Sequence, residues 1–243
     1  MIDGMITVRS ESKRLPQKCF LPFGDCNVLE HVIRRAKYFD INPIVCTTIE
    51  SSDNKIIEIA KKENVRYFRG SVRDKLKRWR DACLEHEIAS FISIDADDPF
   101  FDGELSIKSY RMLGKSFDLI KHPTQQPNYG FYEGCVGYSI TLDIINKACQ
   151  LKTTSNTEMM WTFIENVPAV RIGYAEMNSD KKISFPIRLT LDYEEDYWLM
   201  RSISRIIGQF ATRKEIVEIF ANNPDLYKIN WFRNDDYKIA QNK

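Results

Sequence analysis

The chain is 243 residues long, 43% hydrophobic and 28% charged, with a formal net charge of +1. That length holds one sizeable core, and so small a charge excess argues against bulk nucleic-acid binding while leaving room for a local anion site. No run approaches the roughly 18 apolar residues of a membrane span, the opening "MIDGMITVRSESK" lacks a secretion-signal pattern, and the six cysteines form no CxxC pair; a cytoplasmic protein without membrane insertion or structural zinc is expected.

In chain order, "GMITV" (4–8) predicts a short buried strand, and the basic loop to residue 18 follows it. Apolar spacing at Val28, Leu29, Val32, Ile33 and Ala36 predicts a helix over 27–39 with Asn27 as its cap. A strand is expected at 43–48. A helix is expected at 51–64, led by Ser or Asp, with Ile56, Ile57, Ile59 and Ala60 inward. Then come a strand at 65–70, a helix at 71–86 capped by Ser71 with Asp74 three residues on, a strand at 90–95, a helix at 103–114 and a strand at 117–121. This alternation predicts a mostly parallel sheet with helices on both faces. The rhythm breaks near residue 122, at "HPTQQPNYG". Beyond it, helices are expected at 139–149 and 157–166 and strands at 169–177 and 184–191, the last with Pro186 at its edge. A helix at 193–210 is expected to pack through Trp198, Leu199, Ile203 and Ile206, and two short helices finish the chain.

Three stretches carry chemistry. Arg9, Lys13, Arg14 and Lys18 crowd the loop after the first strand, at the carboxyl edge where ligands bind in such sheets. They read either as a solvated turn or as a grip on phosphate oxygens. Neither G-x-G-x-x-G nor G-x-x-x-x-G-K-[ST] is present. "ISIDADDPFFDG" places Asp95, Asp97, Asp98 and Asp102 at a strand end, an arrangement that suits a hard cation or an acidic surface turn. In "RLTLDYEED", Asp192 reads as a second metal ligand or as a helix cap, with Glu194, Glu195 and Asp196 favouring the helix start. A basic loop facing paired acids is the hardware of metal-assisted nucleotidyl transfer. His31, His86 and His122 are incidental to it, although His122 sits in a loop that could touch substrate.

These anchors together resemble the cytidylyltransferase family of CMP-ketodeoxyoctonate and CMP-nonulosonate (acylneuraminate) synthetases, in particular its spore coat polysaccharide biosynthesis branch. Arg9, Ser12, Arg14, Leu15, Pro16 and Lys18 stand in the register R-x-x-S-x-R-L-P-x-K. "LEHVI" at 29–33, "YFRGSVRDKL", "ISIDADDPFFD" and "RLTLDYEED" follow in family order over roughly residues 3–207.

The resemblance implies a three-layer α/β/α sandwich with a mostly parallel central sheet, like nucleotide-diphospho-sugar transferases (Rossmann-like). It implies a domain over 1–210 with a dimerisation or acceptor-binding insertion around 123–180; beyond the resemblance, residues 211–243 carry Phe220, Tyr227, Trp231 and Phe232, enough to dock a helical extension against it. The implied reaction transfers CMP from CTP to an acidic sugar or similar anionic acceptor, with Mg²⁺ as cofactor, in a homodimer serving surface polysaccharide or glycan synthesis. Residue by residue, Val8, Arg9, Ser10, Ser12, Arg14, Lys18, Arg69, Ala96 and Asp97 would meet the nucleotide. Arg14 and Lys18 would hold the triphosphate, and Asp97 and Asp192 the Mg²⁺. The acceptor would meet Arg73, Lys121, Gln125, Gln126, Asn128, Tyr129 and Glu133. Several positions depart from the family: Ala96 replaces a glycine and adds a methyl near the nucleotide, Tyr193 and Glu194 replace Thr-Pro, and Gly137 stands where an acid is common. Two alternatives therefore stay open. One is a relative that uses another nucleoside triphosphate with a sugar phosphate or phosphonate; the other is a non-catalytic nucleotide-binding homologue.

Overall fold

The computed structural model describes residues 1–114, 116–121, 132–133, 136–175 and 186–241. The strands are β1 (Ile2–Thr7), β2 (Pro22–Phe23), β3 (Cys26–Asn27), β4 (Ile41–Thr48), β5 (Arg66–Gly70), β6 (Ser90–Asp95), β7 (Leu119–Lys121), β8 (Tyr132–Glu133), β9 (Ser139–Thr141), β10 (Ile172–Tyr174) and β11 (Ile187–Arg188). The helices are α1 (Val28–Tyr38), α2 (Asn54–Lys62), α3 (Lys75–Glu85), α4 (Gly103–Arg111), α5 (Leu142–Leu151), α6 (Trp161–Ile164), α7 (Glu194–Ile207), α8 (Arg213–Asn222) and α9 (Arg233–Gln241). Seven strands form one sheet in the order β10-β7-β9-β6-β1-β4-β5. All of its pairings are parallel except those of β9, which runs antiparallel between β6 and β7. Helices cover both faces, giving the expected three-layer α/β/α sandwich. None of the described helices is long and apolar enough to cross a membrane.

Alternation along the strands divides the core. Met5, Ile44 and Phe91 point to one face, where they meet Leu76 and Trp79 of α3 and Ile144 of α5. Ile6, Val45, Ile92 and Ile94 point to the other, against Leu29, Val32 and Ile33 of α1 and Ile56 and Ile59 of α2. A third cluster joins Met200 and Ile203 of α7 to Phe220 of α8 and to Phe23, Phe100 and Leu191. Every parallel strand ends at the same edge, so the stretches after Thr7, Thr48, Gly70 and Asp95 lie side by side. The loop over 8–18 and the turn at 96–102 are thereby neighbours, although some eighty residues apart in sequence.

Local signals set most element ends. Asn27 caps α1 as expected, with reciprocal bonds to Glu30 of 2.9 and 3.0 Å. Elsewhere tertiary partners overrule the sequence. Asp74, not Ser71, caps α3, accepting from Lys77 N at 3.0 Å. The 139–149 stretch begins as strand β9, because its first residues pair with β6 and β7 before α5 starts. The 157–166 helix contracts to α6, with Met160 buried and Trp161 packed on the core. In α7, Leu199 and Ile203 face inward as expected, but Trp198 is 50% and Ile206 68% exposed. The helix is turned so that the charged Asp196 lies on its buried face.

Two buried bases tie the layers together. Arg35 has no exposed surface and donates to three carbonyls, those of Phe101 (2.9 Å), Gln209 (3.3 Å) and Ala211 (2.9 Å). Burial brings its pKa down to about 10. His31, also fully buried, lies 2.7 Å through Nε2 from the Pro99 carbonyl, and so braces the 96–102 turn from behind. Burial brings its pKa down to about 4.

The His31 shift predicts a pH dependence of stability. A histidine held neutral in the folded state binds its proton more readily when unfolded, so stability is full above the unfolded value near 6.5 and falls as the pH drops towards 4. Between pH 7 and pH 5 the loss expected from this residue is about 2 kcal/mol. Urea midpoints of the wild type and of His31→Gln at the two pH values measure it; equal losses in both proteins would refute the assignment.

Candidate functional site

The opening loop is anchored at its root. Val8 N donates to Cys46 O at 3.2 Å, extending β1 by one residue. Ser10 then bonds Asp53 twice, from N at 2.8 Å and from Oγ at 2.7 Å. Asp53 is 1% exposed and also accepts from Thr47 Oγ1, Thr48 N and Thr48 Oγ1. Burial alone would raise its pKa, but these bonds outweigh burial and hold it below the ordinary value. Asp53 thus clamps the loop to the end of β4 rather than capping α2. Arg9 reaches Glu158 at 3.4 Å, and Ser12 is half-buried in the same loop.

At the far end of the loop the chain turns through Gln17, whose φ is 54°, and points Lys18 across the sheet edge. Lys18 Nζ donates to Asp97 Oδ2 at 2.7 Å and to Asp192 Oδ1 at 2.8 Å. Arg14 Nη2 donates to the same Asp192 oxygen at 2.7 Å. Burial works against the Lys18 charge, but the two carboxylates outweigh it and its pKa is raised. Burial also opposes the Asp192 charge, and Lys18 and Arg14 overcome it, so Asp192 stays below the ordinary range. Asp97 goes the other way: burial and the neighbouring carboxylates push it up against the pull of Lys18. Four residues singled out in the sequence therefore meet at one point.

The acid-rich turn splits into distinct jobs. Oxygens of Asp95, Asp97 and Asp98 lie within 4.8 Å of one another, an all-carboxylate set suited to a hard cation. Burial, then Asp97 and Asp95, push Asp98 well above its ordinary value. Asp102 stands apart and caps α4, accepting from Leu105 N at 2.9 Å. Ala96 is 5% exposed and belongs to the core cluster of α1 and α2. Gly137 cannot carry the acid common in the family, because a Cβ there would lie 1.9 Å from the Ser93 carbonyl oxygen.

Asp192 does not cap α7. That task falls to the Asp196 side chain, which accepts from Asp192 N and Tyr193 N at 3.0 Å each. Asp196 in turn grips Arg188 through two bonds, Nε at 2.9 Å and Nη2 at 3.0 Å, both side chains fully buried. Asn230 adds a bond to Asp196 at 2.9 Å and one to Arg188 O at 3.0 Å. The C-terminal extension therefore docks through buried asparagines as well as through Phe220, while Phe232 is 57% exposed.

Arg69 lies one strand further out and bonds Thr48 O, Glu50 O and Asn54 Oδ1, bracing the stretch that carries Asp53. Arg73 is exposed, and Lys121 pairs with Glu165 at 2.6 Å. Glu133 lies on β8, beside β11. Gln125, Gln126, Asn128, Tyr129 and His122 lie outside the described residues, as does Cys135. Sequence reasoning missed Lys75, which is 6% exposed and holds Asp95 at 3.0 Å. Its ammonium lies 5.0 Å from the ring of Trp79, one helical turn on, and Trp79 donates to Thr7 Oγ1 at 2.9 Å. The usable signal was the i, i+4 spacing of Lys75 and Trp79 on the inner face of α3.

A family model described as Cytidylyltransferase matches residues 4–221. The structure of a cytidylyltransferase from Leptospira borgpetersenii superposes with a TM-score of 0.81 at 27% identity, covering 93% of this chain and 95% of that one. A protein of Methanocaldococcus jannaschii described as uncharacterized is 30% identical over 237 residues, 94% of each chain. The spore coat polysaccharide biosynthesis protein SpsF of Bacillus subtilis is 26% identical over 91% of this chain and 94% of its own. A CMP:2-keto-3-deoxy-manno-octonic acid synthetase complexed with CTP shares the fold, with a TM-score of 0.61 at 12% identity over 84% of this chain and 99% of that one.

The Arg188–Asp196 pair behind Asp192 generates a stability prediction. Asp196→Ala takes both short bonds from a fully buried guanidinium, leaving it Asp192 at 3.7 Å and Asn234 at 3.5 Å, and is expected to cost about 3–5 kcal/mol. The double variant Arg188→Met/Asp196→Leu removes both charges and is expected to cost less than the single one. Denaturant unfolding of the three proteins tests this; a double variant less stable than the single would show that the pair is not the source of the loss.

Proposed function

The chain belongs to the cytidylyltransferase family, and we propose that it transfers CMP from CTP to an acidic, sugar-like acceptor with release of pyrophosphate. The observation that carries this reading is the meeting of Arg14 and Lys18 with Asp97 and Asp192 at the sheet edge, at 2.7–2.8 Å. As a family member the chain is a nucleotidyltransferase enzyme. The acceptor class, the metal and the branch within the family are the proposal.

In this reading an acceptor oxygen forms a bond to the α-phosphorus of CTP. The bond from that phosphorus to the oxygen bridging to the β-phosphate breaks, pyrophosphate leaves with the bonding pair, and the acceptor hydroxyl gives up its proton to solvent. Arg14 and Lys18 bind the triphosphate and offset the charge that gathers on the departing pyrophosphate. The loop rooted by Ser10 on Asp53 wraps the nucleotide, and that clamp keeps it in place before substrate arrives. Asp97 and Asp192 fit a divalent cation by their chemistry: their carboxylates converge on one positive charge, that of Lys18, and the oxygens of Asp95 and Asp98 lie within 4.8 Å of that of Asp97. Mg²⁺ held there would neutralise phosphate charge.

For the acceptor, SpsF is named for polysaccharide biosynthesis and the ketodeoxyoctonate synthetase for its acidic sugar. Both support a sugar-like acceptor, which we place beside Arg73, Lys121 and the segment carrying Gln125, Gln126, Asn128, Tyr129 and Glu133. The free thiols of the described cysteines agree with a reducing cytoplasm, and a homodimer completes the proposal.

The test is pyrophosphate release in Mg²⁺ with each of the four nucleoside triphosphates and a pool of ketodeoxyoctonate, nonulosonates, sugar phosphates and phosphonates. Release with CTP and an acidic sugar is expected. Release with another triphosphate and a sugar phosphate would transfer the reading to a pyrophosphorylase, and nucleotide binding without turnover would favour a non-catalytic homologue. Asp97→Asn is expected to lower turnover by roughly a hundredfold or more, with a melting temperature close to that of the wild type. Unchanged turnover in saturating Mg²⁺ would remove Asp97 from the site.

A further inference from the structure

The family model ends at residue 221, yet the chain beyond it reaches the phosphate loop. The C-terminal segment is fixed by Asn230 and Asn234, which are 0% and 2% exposed. Asn230 holds Asp196 and the Arg188 carbonyl, and Asn234 Oδ1 accepts from Arg188 at 3.5 Å. One helical turn after Asn234, Tyr237 of α9 sets its ring 4.7 Å from the guanidinium carbon of Arg188 and 5.8 Å from that of Arg14. Tyr193, at the start of α7, stands 5.8 and 5.7 Å from the same two groups. Two arginines thus share two aromatic rings.

The two arginines are held very differently. Arg188 is fully buried and doubly bonded to Asp196. Arg14 is 34% exposed along its side chain, and Asp192 is its hydrogen-bonding partner. A long side chain in that position samples many rotamers, and a planar guanidinium loses that freedom when it lies against ring faces. Tyr237 is itself fixed, because its helix is pinned by the two asparagines. The route therefore runs from Asn230 and Asn234 through Tyr237 to the guanidinium that faces the nucleotide.

We propose that Tyr237 is a positioning residue for Arg14, and that the C-terminal helix is thereby a working part of the nucleotide site. This rests on the reading of Arg14 as a phosphate contact. In this role Tyr237 acts through Arg14, by setting the direction of its guanidinium. Removing its ring leaves Arg14 charged and bonded to Asp192 but with only the Tyr193 ring of the pair beside it, so its direction is less tightly set and affinity for the triphosphate falls.

Calorimetric titration of CTP in Mg²⁺ into the full-length protein tests this on the wild type, Tyr237→Phe, Tyr237→Leu, Arg14→Met and the double variant Tyr237→Leu/Arg14→Met. Tyr237→Phe keeps the ring and is expected to bind within about twofold of the wild type, and Tyr237→Leu to bind about fivefold or more weakly. In the Arg14→Met background Tyr237→Leu is expected to add nothing, since the group it positions is gone. Wild-type affinity in Tyr237→Leu, or the same loss with and without Arg14, would overturn the proposal. Should Tyr237→Leu fail to fold, Arg14→Lys leaves α9 untouched. It keeps the charge but not the planar group, and is expected to bind about fivefold or more weakly, wild-type affinity being the refuting result. A wild type that binds a different triphosphate would overturn the CTP reading alone, and the same variants would then be compared on that nucleotide. A wild type that binds none would overturn both.

Discussion

A single ammonium group closes the working edge of this molecule. Lys18 bonds Asp97 and Asp192 together, and so joins the loop after β1, the turn after β6 and the start of α7. Three chain segments that are remote in sequence meet at a charge separation of less than 3 Å. Without a cation between them, two carboxylates in so confined a place would repel. With Lys18 there, the charged groups a phosphate-transferring site requires are assembled on the folded scaffold, and Arg14 adds a second positive group to the same Asp192 oxygen.

The rest of the structure supports this contact from behind. Asp53 clamps the root of the loop through Ser10, and His31 braces the turn after β6 through the Pro99 carbonyl. Arg188 and Asp196, both fully buried, hold the backbone at Asp192 and Tyr193. Each support is a polar group taken out of water and hydrogen-bonded, a costly arrangement for stability alone and one that fixes direction.

Much of the fold was legible in the sequence because it is written locally. The alternation of β and α periods from β1 to β7, the apolar stripe of α1 and the Asn27 cap all depend on residues a few positions apart. The candidate site residues Arg14, Lys18, Asp97 and Asp192 were legible for a different reason: they lie in three charged stretches of the sequence, and the family resemblance singled them out within those stretches. What stayed hidden depended on distant partners. Strand β9 is a strand only because β6 and β7 stand on either side of it. The inward face of α7 is chosen by Asp196, whose partners Arg188 and Asn230 lie on other elements. Lys75 and Tyr237 look like surface residues until Asp95 and Arg14 are seen beside them.

The amino-acid sequence by itself determined the order of elements, the layered α/β class and the chemical kind of the site. Those follow from periodicity, from capping residues and from the signs of charges. Only the tertiary structure decided which charges pair and which carboxylate caps a helix, and that the C-terminal helix reaches the loop near the N-terminus. The physical reason is that a buried charge takes its role from its nearest partner of opposite sign. Lys18 and Asp192, 174 positions apart, become such partners only when the sheet edge is assembled.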